Sequence, residues 1–277
     1  MADVSAGNEH GSVVFREALA RDAALLKQTV QEAGALALSM FRTELKNWTK
    51  GASSPVSEAD IAVNDLIENR LRSATPDYGW LSEESADDPA RLGKSLVWIV
   101  DPIDGTRGYL AGREDWCVSV ALVEGALPVL AAVFVPASDE FFFAARAEGA
   151  VRNGVRINAT SGSELDFSRI AGPKPLVERL SSASADITLY PRIGSLALRL
   201  CRVAEGRLDA GFAGGQSRDW DLAAANLIVQ EANGKMTALS GDPLLYNRRE
   251  VTHGVLVAAG HDRHASIVEH FRNRPLP

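Results

Sequence analysis

"WIVDPIDGT", residues 98–106, ends an apolar run on two carboxylates three residues apart, Asp101 and Asp104. The run from Leu96 to Val100 reads as a strand. Pro102 and Gly105 bend the chain after it, and Thr106 stands where a helix can start. Groups at a strand end followed by a sharp turn face one crevice, the usual ligand position in α/β proteins. Two carboxylates there repel each other unless a cation lies between them. Oxygen ligands with no nearby His or Cys suit Mg²⁺ or a similar hard ion rather than zinc. Gly105 and Thr106 would open a short helix whose free amides fit phosphate oxygens. Metal and phosphate in one place imply phosphoryl chemistry.

Working outward, Leu19, Ala23, Leu26, Val30, Ala33, Ala37 and Met40 repeat at gaps of four and three, the stripe of a long helix to about Leu45 after a polar leader at 1–11. "KGASSPVS" breaks it, and Ser57 with Asp60 has capping-box spacing at the start of a second helix reaching Leu71. Strands are expected at Tyr78–Leu81, Leu96–Val100, Trp116–Val123, Leu127–Val135 and Phe141–Ala145, with a hairpin at Asn153-Gly154. Beyond residue 160 the texture changes. Short strands at Ile187–Tyr190, Leu208–Phe212 and Val255–Ala259 alternate with helices at 195–205, 220–233 and 262–272, the second capped by Gly234. Two α/β halves follow, 12–160 and 161–273.

The 277 residues are 46% apolar and carry 29 basic against 36 acidic side chains, a net charge of −7 that gives no support to nucleic-acid binding. No apolar stretch is long enough to span a membrane, and the N-terminus has no signal-peptide core, so a soluble cytoplasmic protein is expected. Cys117 and Cys201 lack metal-ligand spacing and read as core thiols. His10, His253, His261, His264 and His270 lie away from the acidic clusters and read as structural or surface residues.

Four acidic clusters follow apolar runs or open helices: Asp60, Glu83-Glu84, Asp101/Asp104 and Asp221. Each has an ordinary explanation. Asp60 fits the capping box, Asp221 a helix first turn, and Asp-Pro and Asp-Gly are common turn pairs. A haloacid-dehalogenase-type phosphatase would need its second aspartate two positions after the first; here the gap is three, which moves the acid out of register.

Together, "LSEES" (81–85), "DPIDGT" (101–106) and "WDLAAA" (220–225) resemble the three signatures of the inositol monophosphatase superfamily, supported by "SPVSEAD" (54–60) and "GSLALRLCRVAEGRLDA" (194–210). The resemblance covers residues 20 to 262 in order and approximate spacing. It departs at Ser82, where many members have Gly. It implies an α/β (α+β) fold, a layered α/β/α/β/α sandwich with an antiparallel sheet in the first half and a smaller mixed sheet in the second. It implies two or three Mg²⁺ ions held by Glu83, Asp101, the Ile103 carbonyl, Asp104 and Asp221. Glu84 and Asp60 would lie close to the nucleophilic water, Asp60 and Thr106 would orient and activate it, and the Gly105 and Thr106 amides would receive the phosphate. Asp104, Gly194, Ser195, Arg218 and Asp221 would face the substrate, and Lys50 would approach the same region. Homodimers and sensitivity to millimolar lithium are common in the superfamily.

The alcohol is less well defined. Inositol-hydrolysing members commonly carry Thr-Asn-Phe after "DGT" and an acidic residue some seven positions before the Asp of "WD". This chain has Arg107-Gly108-Tyr109, and "AGGQSR" (213–218) has no carboxylate. That looks more like the CysQ-like branch, which removes the 3′-phosphate of adenosine 3′,5′-bisphosphate, with Arg107, Arg113 and Arg218 placed to hold a second phosphate. Inositol 1-phosphate and histidinol phosphate stay open as substrates. So does a phosphate-ligand-binding regulatory protein that has kept the fold.

Overall fold

The apolar stripe of the first helix packs on a sheet. The computed structural model describes residues 6–50, 54–165, 168–181 and 186–274. In it α1 (Ala6–Met40) is helical through most of the expected leader and ends five residues short of Leu45. Leu26, Val30, Ala33 and Ala37 are fully buried. The helix stops because the chain turns at Arg42, whose φ is 61°. Thr43 Oγ1 donates to the Met40 carbonyl (2.6 Å), and the Arg42 guanidinium reaches across to the Gly112 carbonyl (2.9 Å). The breaker that follows is flanked by paired strands, β1 (Asn47–Lys50) and β2 (Ser54–Ser57); residues 51–53 lie outside the described residues. Then α2 (Glu58–Ala74) starts where the capping-box spacing puts it, the Ser57 amide and hydroxyl both donating to Asp60 Oδ2 (2.8 and 2.6 Å).

The large sheet runs in chain order: β3 (Gly79–Ser82), β4 (Leu96–Asp104), β5 (Cys117–Glu124), β6 (Leu127–Val135), β7 (Glu140–Ala145), β8 (Gly149–Arg152) and β9 (Val155–Arg156). Only β3 and β4 pair in parallel. The short α3 (Thr106–Leu110) lies between β4 and β5. Asn153 and Gly154 both have positive φ and close the expected two-residue hairpin.

The rest of the chain comprises β10 (Arg169–Ala171), α4 (Lys174–Ser181), β11 (Thr188–Leu189), α5 (Leu196–Ala204), β12 (Ala210–Ala213), β13 (Ser217–Arg218), α6 (Asp219–Glu231), β14 (Gly234–Ala238), β15 (Thr252–His253), β16 (Leu256–Gly260) and α7 (His261–Asn273). A mixed five-stranded sheet has the order β11-β10-β12-β16-β14. Two expectations need correction. The helix α4 was not anticipated from the sequence. Gly234 does not cap α6: Asn233 takes the left-handed conformation (φ 60°), and Gly234 begins β14 against Gly260.

Five layers result. α1 and α2 cover one face of the large sheet, α5 and α6 lie between the two sheets, and α7 with α4 closes the far side. This is the expected α/β/α/β/α sandwich. Cys117 and Cys201 are both buried and free, His253 and His264 are buried, and His261 is exposed. The side chain of His10 lies outside the described residues. Among the described residues no helix is long and apolar enough to cross a membrane.

β4 positions the site. Its side chains alternate between two cores: Val97 and Ile99 face α5 and α6, while Trp98 and Val100 face α1 and α2. The strand does not end at Val100 as expected but runs on to Asp104 through a bulge, with Asp101 opposite Ser119 and Asp104 opposite Cys117. Two residues apart on β5 thus face three apart on β4. In a regular strand, residues three apart point to opposite faces. The one extra residue resets that parity and turns Asp101 and Asp104 to the same side.

Candidate active site

On that side, Asp101 and Asp104 meet Asp221 in the first turn of α6. Carboxylate oxygens of the three lie within 4.8 Å of one another. Asp101 is 1% exposed, and its Oδ1 has no hydrogen-bond partner among the described residues. Asp104 has one oxygen engaged: Oδ2 accepts from Ser195 Oγ (2.7 Å) and the Ala197 amide (2.6 Å). Asp221 Oδ2 accepts from the Arg218 amide (2.6 Å). Each carboxylate is therefore anchored to, or carried by, rigid structure.

Glu83 follows the end of β3, its amide donating to the Val100 carbonyl (3.2 Å). Glu84 is in contact with Lys50 of β1, whose ammonium also donates to the Glu83 carbonyl (3.3 Å). The loop carrying both glutamates is held through Ser82, whose hydroxyl donates to Asn64 Oδ1 of α2 (2.7 Å) and accepts from the Glu84 amide (3.3 Å). A Gly at this position would have neither bond.

Asp60 enters from α2. Its Oδ1 is 3.0 Å from Thr106 Oγ1, which is also 3.0 Å from the Ile103 carbonyl. A hydroxyl has one proton, so Thr106 can donate to only one of them at a time. Gly105 precedes Thr106 with φ 97°, a turn that favours glycine, and a Cβ there would press on the Asp115 carbonyl at 3.2 Å.

Burial raises the proton affinity of this whole set. Glu83 is pushed up to about 7, first by burial, then by Asp104 and Asp60, with Lys50 opposing. Burial first, then repulsion by Glu83 and Asp104, holds Asp101 well above the usual carboxylate range, and burial followed by Asp104 does the same for Asp221. Asp104 is raised by burial and pulled back by Ser195 and Ala197. Asp60 is raised by burial and pulled back by Ser57 and Thr106. Lys50 is lowered by burial.

An orphaned buried oxygen beside two further carboxylates, with all-oxygen donors, fits a hard divalent cation. A cavity of about 360 Å³ opens above it, lined by Glu83, Asp101, Ile103, Asp104, Gly105, Thr106 and Asp221 together with Gly194 and three arginines, Arg107, Arg113 and Arg192. Ser195 lies beneath this cavity, where its Oγ also accepts from the Leu198 amide (2.9 Å) and caps α5. The Arg218 guanidinium turns to Thr252 Oγ1 (2.6 Å) and Glu250 (3.9 Å) and does not line the cavity. Sequence reading overlooked Arg192 and Asp115. The Asp115 carboxylate accepts from the Gly194 amide and its carbonyl from the Ser195 amide (3.0 Å), which ties the segment entering β5 to the start of α5. Neither carries a sequence signal beyond standing near "GS" or "DGT".

The comparisons with known proteins agree with this geometry. A profile of the inositol monophosphatase family matches residues 19–276. A Nus factor SuhB of Xylella fastidiosa is 36% identical over 197 residues, covering 67% of this chain and 69% of that protein. An inositol-1-monophosphatase of Rhizobium meliloti is 33% identical over 237 residues, 82% of this chain and 86% of the relative. Among solved structures, the extragenic suppressor protein suhB from Bartonella henselae superposes with a TM-score of 0.80 at 27% identity, over 91% of this chain and 98% of that one. The match spans both sheets and every acidic cluster: this chain belongs to the inositol monophosphatase family, whose members are metal-dependent phosphatases.

Proposed function

We propose that the chain is a Mg²⁺-dependent phosphate-monoester hydrolase acting on a small metabolite with a second anionic group, adenosine 3′,5′-bisphosphate before inositol 1-phosphate or histidinol phosphate. The observation that carries this reading is one cavity with carboxylates at its base and Arg107, Arg113 and Arg192 around it. Asp101, Asp104 and Asp221, with Glu83 and the Ile103 carbonyl, would hold the metal. When bound, the ions lower the pKa of water and offset phosphate charge.

The remaining work falls to the chain's own groups. Asp60 and Thr106 form a proton path: Thr106 Oγ1 accepts a proton from water while giving its own to Asp60, whose raised affinity suits a base. Glu84 would act near this path; its carboxylate is paired with Lys50 and does not line the cavity. Gly105 and Thr106 present amides without an intrahelical acceptor to the phosphate. Gly194 borders the alcohol side, with Ser195 supporting Asp104 from below and Arg218 supplying the amide that orients Asp221. Attack is in line and needs no covalent intermediate, so catalysis rests on position and charge.

The test is phosphate release from the three esters side by side, with Mg²⁺ and with EDTA. A Mg²⁺-dependent preference of a hundredfold or more for the bisphosphate, about 2.7 kcal/mol of differential transition-state binding, supports the reading. Comparable turnover of all three refutes the substrate assignment. Relatives named as Nus factors keep a regulatory reading in view. Absence of metal-dependent release from any ester would favour it.

A further inference from the structure

A second cavity of about 410 Å³ lies beside the first, and Arg192 lines both. Their chemistry differs. The first has carboxylates at its base. The second has no carboxylate in its lining among the described residues; it presents Lys174, Arg192 and Arg199 with Leu189 and Tyr190. A single phosphate and a small alcohol fit within the first cavity. The two together fall in the size range of sites for larger organic ligands.

Arg199 is fixed in place. Its Nη1 and Nη2 donate to the Phe212 and Ile193 carbonyls (both 3.0 Å), while its Nε is buried with no hydrogen-bond partner. Burial disfavours its charge, Asp104 supports it, and Arg192 adds a smaller repulsion. Arg192 and Arg199 both line this cavity, which carries cationic groups where the one next door carries carboxylates, and an anion beside them relieves their repulsion. Lys174 is shared with Glu178 (3.3 Å) and contributes less. Tyr190 is partly exposed on a backbone anchored by its amide to the Ile170 carbonyl (2.8 Å), so its ring stands on fixed structure.

We infer that this cavity is the subsite for the part of the substrate remote from the scissile phosphate: Arg192 takes the 5′-phosphate of a nucleoside 3′,5′-bisphosphate, Arg199 adds positive charge from the cavity wall, and Tyr190 takes the base. The inference rests on the hydrolase reading above and extends its selectivity, through the shared Arg192, into the adjoining cavity. The reaction consumes one water and releases the 3′-phosphate as inorganic phosphate, leaving the nucleoside 5′-monophosphate in the second cavity. A charge-assisted pair with phosphate supports a change of about ten- to a hundredfold when one guanidinium is removed.

The test uses Arg192→Ala and Tyr190→Ala, both at exposed positions, so that folding is preserved; Arg199 is left intact because it ties two backbone segments. Two quantities are measured with the Mg²⁺-loaded full chain. One is the ratio of kcat/KM for adenosine 3′,5′-bisphosphate to that for inositol 1-phosphate. The other is the affinity for adenosine 5′-monophosphate by calorimetry. The expected result is a ratio reduced about tenfold or more in each variant, chiefly through KM, with product affinity weakened in parallel. A wild-type preference for the bisphosphate that both variants retain, with unchanged product affinity, overturns the subsite and leaves the hydrolase reading standing. A wild type that hydrolyses inositol 1-phosphate with no preference for the bisphosphate overturns both.

Discussion

Asp101→Asn tests the metal cluster most directly, because the metal-free and metal-bound proteins should respond in opposite directions. The carboxylate is buried, has an oxygen without a partner, and lies within 4.8 Å of oxygens of Asp104 and Asp221. At that separation each fully charged pair costs about 3 kcal/mol with an effective dielectric near 20, an amount that partial protonation reduces. Neutralising one member should therefore stabilise the chelator-treated protein by about 1–3 kcal/mol. For a chain of this length that raises Tm by about 2–6 °C. Mg²⁺ at a hundred times its Kd stabilises the native chain by about 2.7 kcal/mol, roughly a 5 °C rise, and the variant should lose that response along with turnover. Thermal melts of both proteins in EDTA and across a Mg²⁺ titration measure all of this. A variant that melts lower in EDTA and keeps its full Mg²⁺ response would show that the three carboxylates neither repel one another nor hold the ion.

Three further outcomes are expected. Asp60→Asn should slow turnover about a hundredfold while the Mg²⁺-induced rise in Tm persists, since Asp60 is bonded to Ser57 and Thr106; an unchanged rate removes it from water activation. Ser195→Ala removes both a donor to Asp104 and the side-chain cap of α5, and should cost about 1–2 kcal/mol in denaturant melts; unchanged stability would mean the cap is dispensable. His264 is buried, with burial first and then Lys235 holding its pKa down to about 4, so the native state stays neutral where the unfolded chain, near 6.5, takes a proton. Its share of stability is full above pH 6.5 and is lost as pH falls toward 4, roughly 2 kcal/mol in all; His264→Gln should flatten the melting curve over that window, and an unaltered pH dependence would refute the assignment.

The His264 contact also fixes a tautomer. Thr237 Oγ1 lies 2.7 Å from the Ala238 carbonyl and 2.9 Å from His264 Nε2. The hydroxyl proton goes to the carbonyl, so Nε2–H must be the donor to Thr237. This gives the neutral ring a defined place in the contact between β14 and α7.

What the sequence revealed and what it concealed divide along one physical line. Apolar period, capping spacing and turn pairs are local, and they led to the long α1, the Ser57 start of α2 and the Asn153-Gly154 hairpin. Gly234 misled because either Asn or Gly can hold a left-handed helix end, and Asn233 had already taken that role. Acidic clusters at the ends of apolar runs were also visible, but their convergence was not. Asp101 and Asp104 share a face only because β4 gains one residue on β5, and spacing alone places them on opposite faces. Asp104 then depends on Ser195 and Ala197, more than ninety positions away. Arg192 gave no signal because a lone arginine has no pattern; only the adjoining cavities give it a function to test. A one-residue bulge thus decides whether the motif can gather charge at all, and a substitution restoring a regular β4–β5 register should separate the two aspartates without altering either.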